Sequence, residues 1–260
     1  MKVDYDAIAP HYDVRYAVNQ LPGIAGLLRQ TAAAAAAGAG HAAALEVGCG
    51  TGYWLAVLAD QTQSICGLDL SAGMLRRAQA HAPASGLTQG QAGQLPFASA
   101  SFDLLLCVNA LHHFPDKRAF IAESRRVLRP GGTWVNVGMD PHAGRDRWYL
   151  YDYFPGTLET DQQRFPSAGT LVDWVKAAGF ERATWVTAER ICAVQRGAAV
   201  LDDPFLQKHG TSQLALLSDD AYQAGLARLT PDVAAAEAAG QALEFATDLW
   251  MSAVVAQAPS

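Results

Sequence analysis

LEVGCGTG, residues 45–52, is an apolar run that leads into three alternate glycines, Gly48, Gly50 and Gly52. The run is typical of a buried parallel strand, and the glycines let the backbone turn tightly and approach a ligand without Cβ atoms in the way. Seventeen positions after the last glycine, a second apolar run, ICGLDL, contains Asp69. Because its carboxylate can accept two hydrogen bonds from a ribose diol, the two stretches predict a nucleoside-binding βαβ unit.

The spacing of the glycines distinguishes two kinds of nucleoside ligand. A dinucleotide fingerprint needs its third glycine at position 53, where this sequence has Tyr53, so the pattern is GxGxG. A pyrophosphate needs close approach to a helix N-terminus, whereas a nucleoside with an amino-acid tail needs room for a carboxylate, an ammonium and a sulfonium. The pattern therefore favours S-adenosylmethionine over NAD.

Composition narrows the class of protein. The chain has 260 residues, half of them hydrophobic, and a net charge of −6. This length fits one α/β domain, residues 1–260, with an insertion. Because no cluster of Lys or Arg is present, we expect no nucleic-acid partner. No membrane or targeting segment is evident, and the four cysteines are scattered, so we expect a cytoplasmic protein, a monomer or homodimer, with reduced thiols.

Apolar runs of strand length alternate with helical stretches, which predicts a doubly wound parallel sheet. The predicted strands are residues 43–47, 64–69, 102–108, 133–137, 180–187 and 247–257. The alanine-rich tract at residues 31–40 is expected to extend a helix that begins near Pro22. Ser71 is predicted to cap the helix after the second strand. Residues 188–240 exceed what a connection between two strands needs and are predicted to form an inserted helical cap.

Six motifs occur in order over about residues 4–138, namely YDAIAPHYD, LEVGCGTG, GLDLSAGML, QLPFASASFD, NALHHF and VLRPGG. Together they resemble the class I S-adenosylmethionine-dependent methyltransferases, in particular the small-molecule branch that includes ubiquinone and menaquinone C-methyltransferases. The resemblance implies a mostly parallel seven-stranded Rossmann-like sheet with an antiparallel last strand. It also implies that residues 1–42 form an N-terminal helical lid over the cofactor.

The resemblance further implies a set of cofactor-binding residues, which are Tyr12, Gly48, Cys49, Gly50, Gly52, Asp69, Leu70, Met74, Gln91, Ala92 and Asn109. The glycines would line the methionine part of the cofactor, Asp69 would bind the ribose hydroxyls, and Asn109 would lie under the sulfonium. Relatives place an acidic residue near the adenine amino group where this chain has Gln91, whose amide oxygen can still accept that hydrogen bond. Tyr12 alternatively anchors its helix to the core.

His112, His113 and Tyr149 are the candidate catalytic residues. A hydroxyl or an acidic carbon acceptor requires a base, which histidine or tyrosine can supply, whereas an amine or thiol acceptor requires none. The alternative for the histidines is a helix cap or a hydrogen bond to the backbone. A metal site of His112, His113 and Asp116 is disfavoured, because adjacent ligands diverge.

An aromatic-rich stretch at residues 147–157, together with Phe165, is expected to hold the acceptor, with a buried core or a dimer contact as the alternative. The sequence thus predicts an enzyme that transfers a methyl group from S-adenosylmethionine to a small organic acceptor by in-line displacement. One alternative is a protein of this fold that binds S-adenosylmethionine without methyl transfer. A second is an NAD-dependent oxidoreductase, and a third is an RNA methyltransferase, which would need a basic rim.

Overall fold

A computed structural model describes residues 3–37 and 42–260 of the chain. Its strands are β1 (Ala43–Val47), β2 (Ser64–Asp69), β3 (Gly86–Gln89), β4 (Phe102–Val108), β5 (Leu128–Met139), β6 (Arg147–Trp148), β7 (Glu181–Arg196) and β8 (Glu244–Gln257). Its α-helices are α1 (Tyr5–Ile8), α2 (Val14–Val18), α3 (Pro22–Ala37), α4 (Tyr53–Leu58), α5 (Ala72–His81), α6 (Lys117–Val127), α7 (Tyr149–Tyr153), α8 (Thr157–Arg164), α9 (Ala168–Ala177), α10 (Ser212–Ala215) and α11 (Asp219–Ala238).

The sheet has the order β3-β2-β1-β4-β5-β8, and β7 pairs with the other edge of β8. The first five strands are parallel, and β8 runs antiparallel to β5 with Val135 opposite Val255. The doubly wound α/β fold and its antiparallel last strand are therefore confirmed. The sheet has eight strands rather than seven, because β8 continues beyond the end of β5 and β6 pairs with it at Thr247 and Asp248.

Helices cover both faces of the sheet. Alternate residues of β4 point to opposite faces, so Leu105 belongs to the core under α6 and α9, and Leu104 belongs to the core under α3 and α4. The alanine tract extends α3 as predicted, through Ala37, and residues 38–41 lie outside the described part of the chain. In α3, Ile24 and Leu28 are fully buried against the sheet, so α3 belongs to the helical layer that covers it. Residues 3–18, here called the N-terminal segment, precede α3.

The structure moves the boundaries of the predicted insertion. β7 runs to Arg196 and pairs there with Glu244 of β8, so the helical insertion, here residues 197–243, begins nine residues later than predicted. No residue of β7 is buried, and in its second half the short apolar run at residues 191–194 lies between polar residues without alternation. Within the insertion, Leu229 and Val233 of α11 pack against Phe154 in a separate apolar cluster. No helix in residues 3–37 and 42–260 is both long enough and apolar enough to span a membrane.

The contact between α11 and Phe154 gives a test of how the insertion is attached. A Cβ added to Gly225 would lie 2.2 Å from Cδ1 of Phe154, whose side chain is fully buried. We expect Gly225→Ala to lower the free energy of unfolding by about 1–3 kcal/mol, because the overpacked ring has to move. Gly26→Ala is the matched control in α3, since nothing lies within 4 Å of its added Cβ, and a gain of up to about 1 kcal/mol is expected. Urea unfolding measures both, and equal stabilities would contradict this packing.

Candidate functional site

The glycine-rich turn after β1 is tied to Asp69 at the end of β2. Gly48, Gly50 and Gly52 have φ angles of 77°, 53° and 81°, in the left-handed region that favours glycine. The N–H of Gly50 donates to Oδ2 of Asp69 at 2.9 Å, and the N–H of Ser71 donates to Oδ1 at 2.9 Å. Because a carboxylate has about four lone-pair sites, each oxygen keeps one for a further donor. The carboxylate can thus accept two hydroxyl groups of a ribose.

Close packing explains why two of these positions require glycine. A Cβ on Gly48 would lie 2.4 Å from Cβ of Ala110, and a Cβ on Gly52 would lie 3.0 Å from Cβ of Ala78. At Gly50 the nearest atom is Cε1 of Tyr12, at 3.8 Å from an added Cβ. The middle of the turn therefore faces Tyr12 and the outer glycines face the core.

Burial shapes the electrostatics of this turn. Burial raises the pKa of Asp69, although the N–H donors of Ser71 and Gly50 work against it. Glu46 in β1 is 1% exposed, and burial together with the neighbouring Asp69 holds the pKa of its carboxyl well above the usual range. One of its oxygens, Oε2, has no hydrogen-bond partner within the described residues. Cys49 is buried beside it, and burial also raises the pKa of that thiol.

The residues predicted to bind adenine have different surroundings. Leu70 is 48% exposed, while Met74 is 1% exposed and packs against Val3, Ile8 and Ala9 of the N-terminal segment. Gln91 is exposed and forms a backbone bridge with Gln94, and Ala92 belongs to the main core. Ser71 caps α5, as predicted, by accepting a hydrogen bond from the N–H of Met74.

Two carboxylates fasten the N-terminal segment to the turn and to α5. Asp6 accepts hydrogen bonds from the Ser71 hydroxyl at 2.8 Å and from the N–H of Gly73 at 2.6 Å. Asp13 accepts from the Thr51 hydroxyl and, through Oδ2, from two nitrogens of Arg77 at 3.1 and 2.6 Å. The N-terminal segment therefore lies over the turn that holds Asp69.

Beside the turn is a cavity of about 150 Å³, here called the acceptor-side cavity. It is formed by the N-terminal segment, the loop after β4, residues of β5–β8 and the helical insertion. Its lining includes Tyr12, Asn109, His112 and His113, so the structure brings these four predicted residues together. Asn109 has a φ of 51°, and its N–H donates to the carbonyl of Val137 at 2.8 Å. This strained position turns the chain away from β4 at the edge where open α/β sheets bind ligands.

The two histidines are half-buried and neutral. The hydroxyl of Tyr5 forms a hydrogen bond with Nε2 of His113. Burial lowers the pKa of His113 to about 3, with further contributions from Arg164, Arg15 and Lys117. Burial also holds the pKa of His112 well below its usual range, and its ring stacks on Phe165 at 4.0 Å between centroids. In the described chain no three His, Cys, Asp or Glu side chains are arranged to hold a metal ion.

Tyr149 lies elsewhere. It is 2% exposed, its hydroxyl donates to Oδ2 of Asp203 at 2.9 Å, and it is absent from the lining of the acceptor-side cavity. Burial and Asp203 raise the pKa of this phenol. The predicted aromatic stretch is thus divided: Trp148 and Phe165 line the cavity, while Tyr149 and Phe154 form the core beneath the insertion.

Sequence reasoning missed several lining residues. Arg15 follows Tyr12 by three positions, a spacing that places both on one side of a helical turn, so it could have been found. Thr211, Ser212 and Gln213 belong to the insertion, and no local pattern connects them with the loop after β4. Arg164 lies one residue before Phe165, and its Nη2 donates to the Ser212 hydroxyl at 3.2 Å.

Comparisons with known proteins agree with this geometry. A model of a methyltransferase domain matches residues 45–136. A demethylmenaquinone methyltransferase from Lactiplantibacillus plantarum is 36% identical over 205 residues, which cover 68% of this chain and 86% of that protein. A phosphoethanolamine N-methyltransferase from Haemonchus contortus, solved with S-adenosyl-L-methionine, shares the fold at a TM-score of 0.52 and 17% identity, over 84% of this chain and 49% of that one.

Other relatives match over a shorter part of their length. The chain spans about half the length of a relative from Mycolicibacterium smegmatis, 51% of that protein at 30% identity over 53% of this chain. The match to the Lactiplantibacillus protein extends over 86% of that relative. On that match, the chain belongs to the S-adenosylmethionine-dependent methyltransferases.

Proposed function

We propose that this enzyme transfers a methyl group to a small organic acceptor bound in the acceptor-side cavity. The observation that carries the proposal is the position of the cavity, which lies beside Asn109 and Tyr12 and is lined by the N-terminal segment, β8 and the insertion. Its volume of about 150 Å³ is that of an engineered cavity that holds benzene. The Lactiplantibacillus relative is named for a quinone substrate, which is also a small molecule.

The residues around the turn fit S-adenosylmethionine, which supplies a methyl group on a sulfonium and thereby an activated leaving group. We propose that Asp69 binds the ribose hydroxyls through its two free lone pairs. Gly48, Cys49, Gly50 and Gly52 would leave room for the amino-acid tail. Leu70, Met74, Gln91 and Ala92 would surround the adenine, and Tyr12 and Asn109 would flank the sulfonium.

We propose that the protein mainly aligns the acceptor with the methyl group and excludes water, because the leaving group is already activated. The N-terminal segment and the insertion would act as lid and cap over the two ligands. For a hydroxyl acceptor, we propose that Oη of Tyr5 orients the acceptor by accepting a hydrogen bond from its hydroxyl group. His113 is unprotonated at neutral pH because burial keeps its pKa low, so its Nε2 can accept the proton of the Tyr5 hydroxyl in their hydrogen bond and hold that side chain in place. We propose no role for Tyr149 in the chemistry.

Removal of the Asp69 carboxylate tests the cofactor site. We expect Asp69→Ala to weaken S-adenosylhomocysteine binding by tenfold or more, about 1.4 kcal/mol, because two hydroxyl partners lose their acceptor. Isothermal titration calorimetry measures the affinity, and Asp173→Ala, an exposed position on α9, is the matched control. Undiminished binding by Asp69→Ala, or tighter binding of NAD by the native chain, would refute this site.

The class of acceptor is tested by following the methyl group. The enzyme is incubated with S-adenosylmethionine carrying a radiolabelled methyl group and with a bacterial extract divided into dialysable molecules, RNA and protein. We expect the label to enter the dialysable fraction, since a cavity of this size admits a ring rather than a polymer. Label found in RNA or protein alone would contradict a small-molecule acceptor.

The low pKa of His113 predicts a pH dependence of stability. In the unfolded chain a histidine takes up a proton near pH 6.5, but in the fold His113 does so only near pH 3. The unfolded state therefore binds one more proton between these values, and stability falls as the pH falls through this window. We expect His113→Gln to reduce the slope by up to about 1.4 kcal/mol per pH unit.

Urea unfolding at several pH values from 7 down to about 5 measures this slope for both chains. His209→Gln is a control, because His209 is a histidine of the insertion that does not line the acceptor-side cavity. A slope unchanged by His113→Gln would mean that His113 is not held neutral by burial.

A further inference from the structure

The acceptor-side cavity is positively charged. Arg15 lines it, and no Asp or Glu is among its lining residues. Nε of Arg15 donates to the carbonyl of Tyr12 at 3.1 Å and Nη2 donates to the carbonyl of Gly210 at 3.3 Å, while the guanidinium lies 3.7 Å from the Tyr12 ring centroid. Among the ion pairs of residues 3–37 and 42–260 none involves Arg15. Its charge therefore faces the cavity with neutral partners only.

A second guanidinium lies behind the same wall. Nη2 of Arg164 contacts Oδ1 of Asp161 at 2.5 Å and also donates to Ser212, which lines the cavity. Its Nε and Nη1 are buried and have no partner within the described chain. The other oxygen of Asp161 accepts from Tyr151 and Gln213, at 2.8 and 2.7 Å, so Asp161 is shared among three donors. Buried guanidinium donors without acceptors point to a missing acceptor.

The surroundings of the histidines agree with this distribution of charge. After burial, the causes that lower the pKa of His113 are the cations Arg164, Arg15 and Lys117, and no carboxylate opposes them. Bound S-adenosylmethionine would bring a sulfonium, an ammonium and one carboxylate, which together are net positive. Asp161 pairs with Arg164 and Asp69 lies at the glycine turn, whereas Arg15 has no carboxylate partner among the described residues. A half-buried charge of this kind is stabilised when an anion pairs with it.

We propose that the methyl acceptor is a small carboxylate whose anionic group pairs with Arg15, with Arg164 as a second positive charge behind it. This inference rests on the proposed function and narrows its substrate class. A planar guanidinium matches the two oxygens of a carboxylate, and Arg15 retains Nη1 for this purpose. The carboxylate of the cofactor is the other source of the same chemistry, and the experiment separates the two.

The test uses benzoate and benzamide, which have the same shape and differ in charge. Both are titrated by calorimetry into the full chain saturated with S-adenosylhomocysteine. We expect benzoate to bind at least about tenfold more tightly than benzamide, about 1.4 kcal/mol. Arg15→Met, which keeps the length of the stem, should abolish this preference, and Arg15→Lys should retain part of it. Arg196→Met is the control, because Arg196 is exposed and pairs with Glu244 on the β7–β8 hairpin.

The other outcomes separate failure of the inference from failure of the proposed function. If the native chain binds S-adenosylhomocysteine but shows no preference for benzoate, or does not bind it, the carboxylate acceptor is refuted and the proposed function stands. If Arg15→Met weakens S-adenosylhomocysteine and leaves the benzoate preference intact, Arg15 serves the cofactor and the inference is likewise refuted. If the native chain does not bind S-adenosylhomocysteine, the proposed function fails and the inference fails with it. Circular dichroism of both Arg15 variants checks that they fold.

Discussion

The hydrogen bonds between the Asp69 carboxylate and the backbone of Gly50 and Ser71 are the constraint on which the site depends. They join the turn after β1 to the start of α5 across the ends of two neighbouring strands. Such a joint needs a parallel pair in register, which β1 and β2 provide. It also needs glycines, because the turn passes three times through the left-handed region and packs its outer residues against Ala110 and Ala78. The fold thereby fixes a carboxylate that still has free lone pairs.

The two segments outside the sheet layer depend on this joint and on each other. Asp6 and Asp13 fasten the N-terminal segment to Ser71, Gly73 and Thr51, which belong to the joint or follow it directly. The guanidinium of Arg15 then spans from that segment to the carbonyl of Gly210 in the insertion. A single side chain thus connects the beginning of the chain with a region about two hundred residues later. The acceptor-side cavity exists only where both segments are in place.

The sequence predicts those features that depend on interactions between residues close together in the chain. The glycine turn, Asp69 and the Ser71 cap are local patterns with a local cause, and the structure has them in place. The end of β7 was missed because an edge strand with no buried residue shows no apolar alternation. Tyr149 belongs to the same aromatic stretch as Trp148, which lines the cavity, whereas its own hydroxyl reaches Asp203 across 54 positions. Contacts of that range follow from the packing of the insertion.

The cofactor residues and the lining of the acceptor-side cavity also differ in where they lie along the chain. The methyltransferase domain match covers residues 45–136, which include the glycine turn, Asp69, Asn109 and both histidines. Most of the acceptor-side lining lies outside these limits, in the N-terminal segment, in β5–β8 and in the insertion. A cofactor bound by backbone turns and one carboxylate can be bound in the same way when the residues of these segments differ. Arg15 lies in one of these segments, and no carboxylate is among the lining residues, so in our proposal it is charge that selects the acceptor.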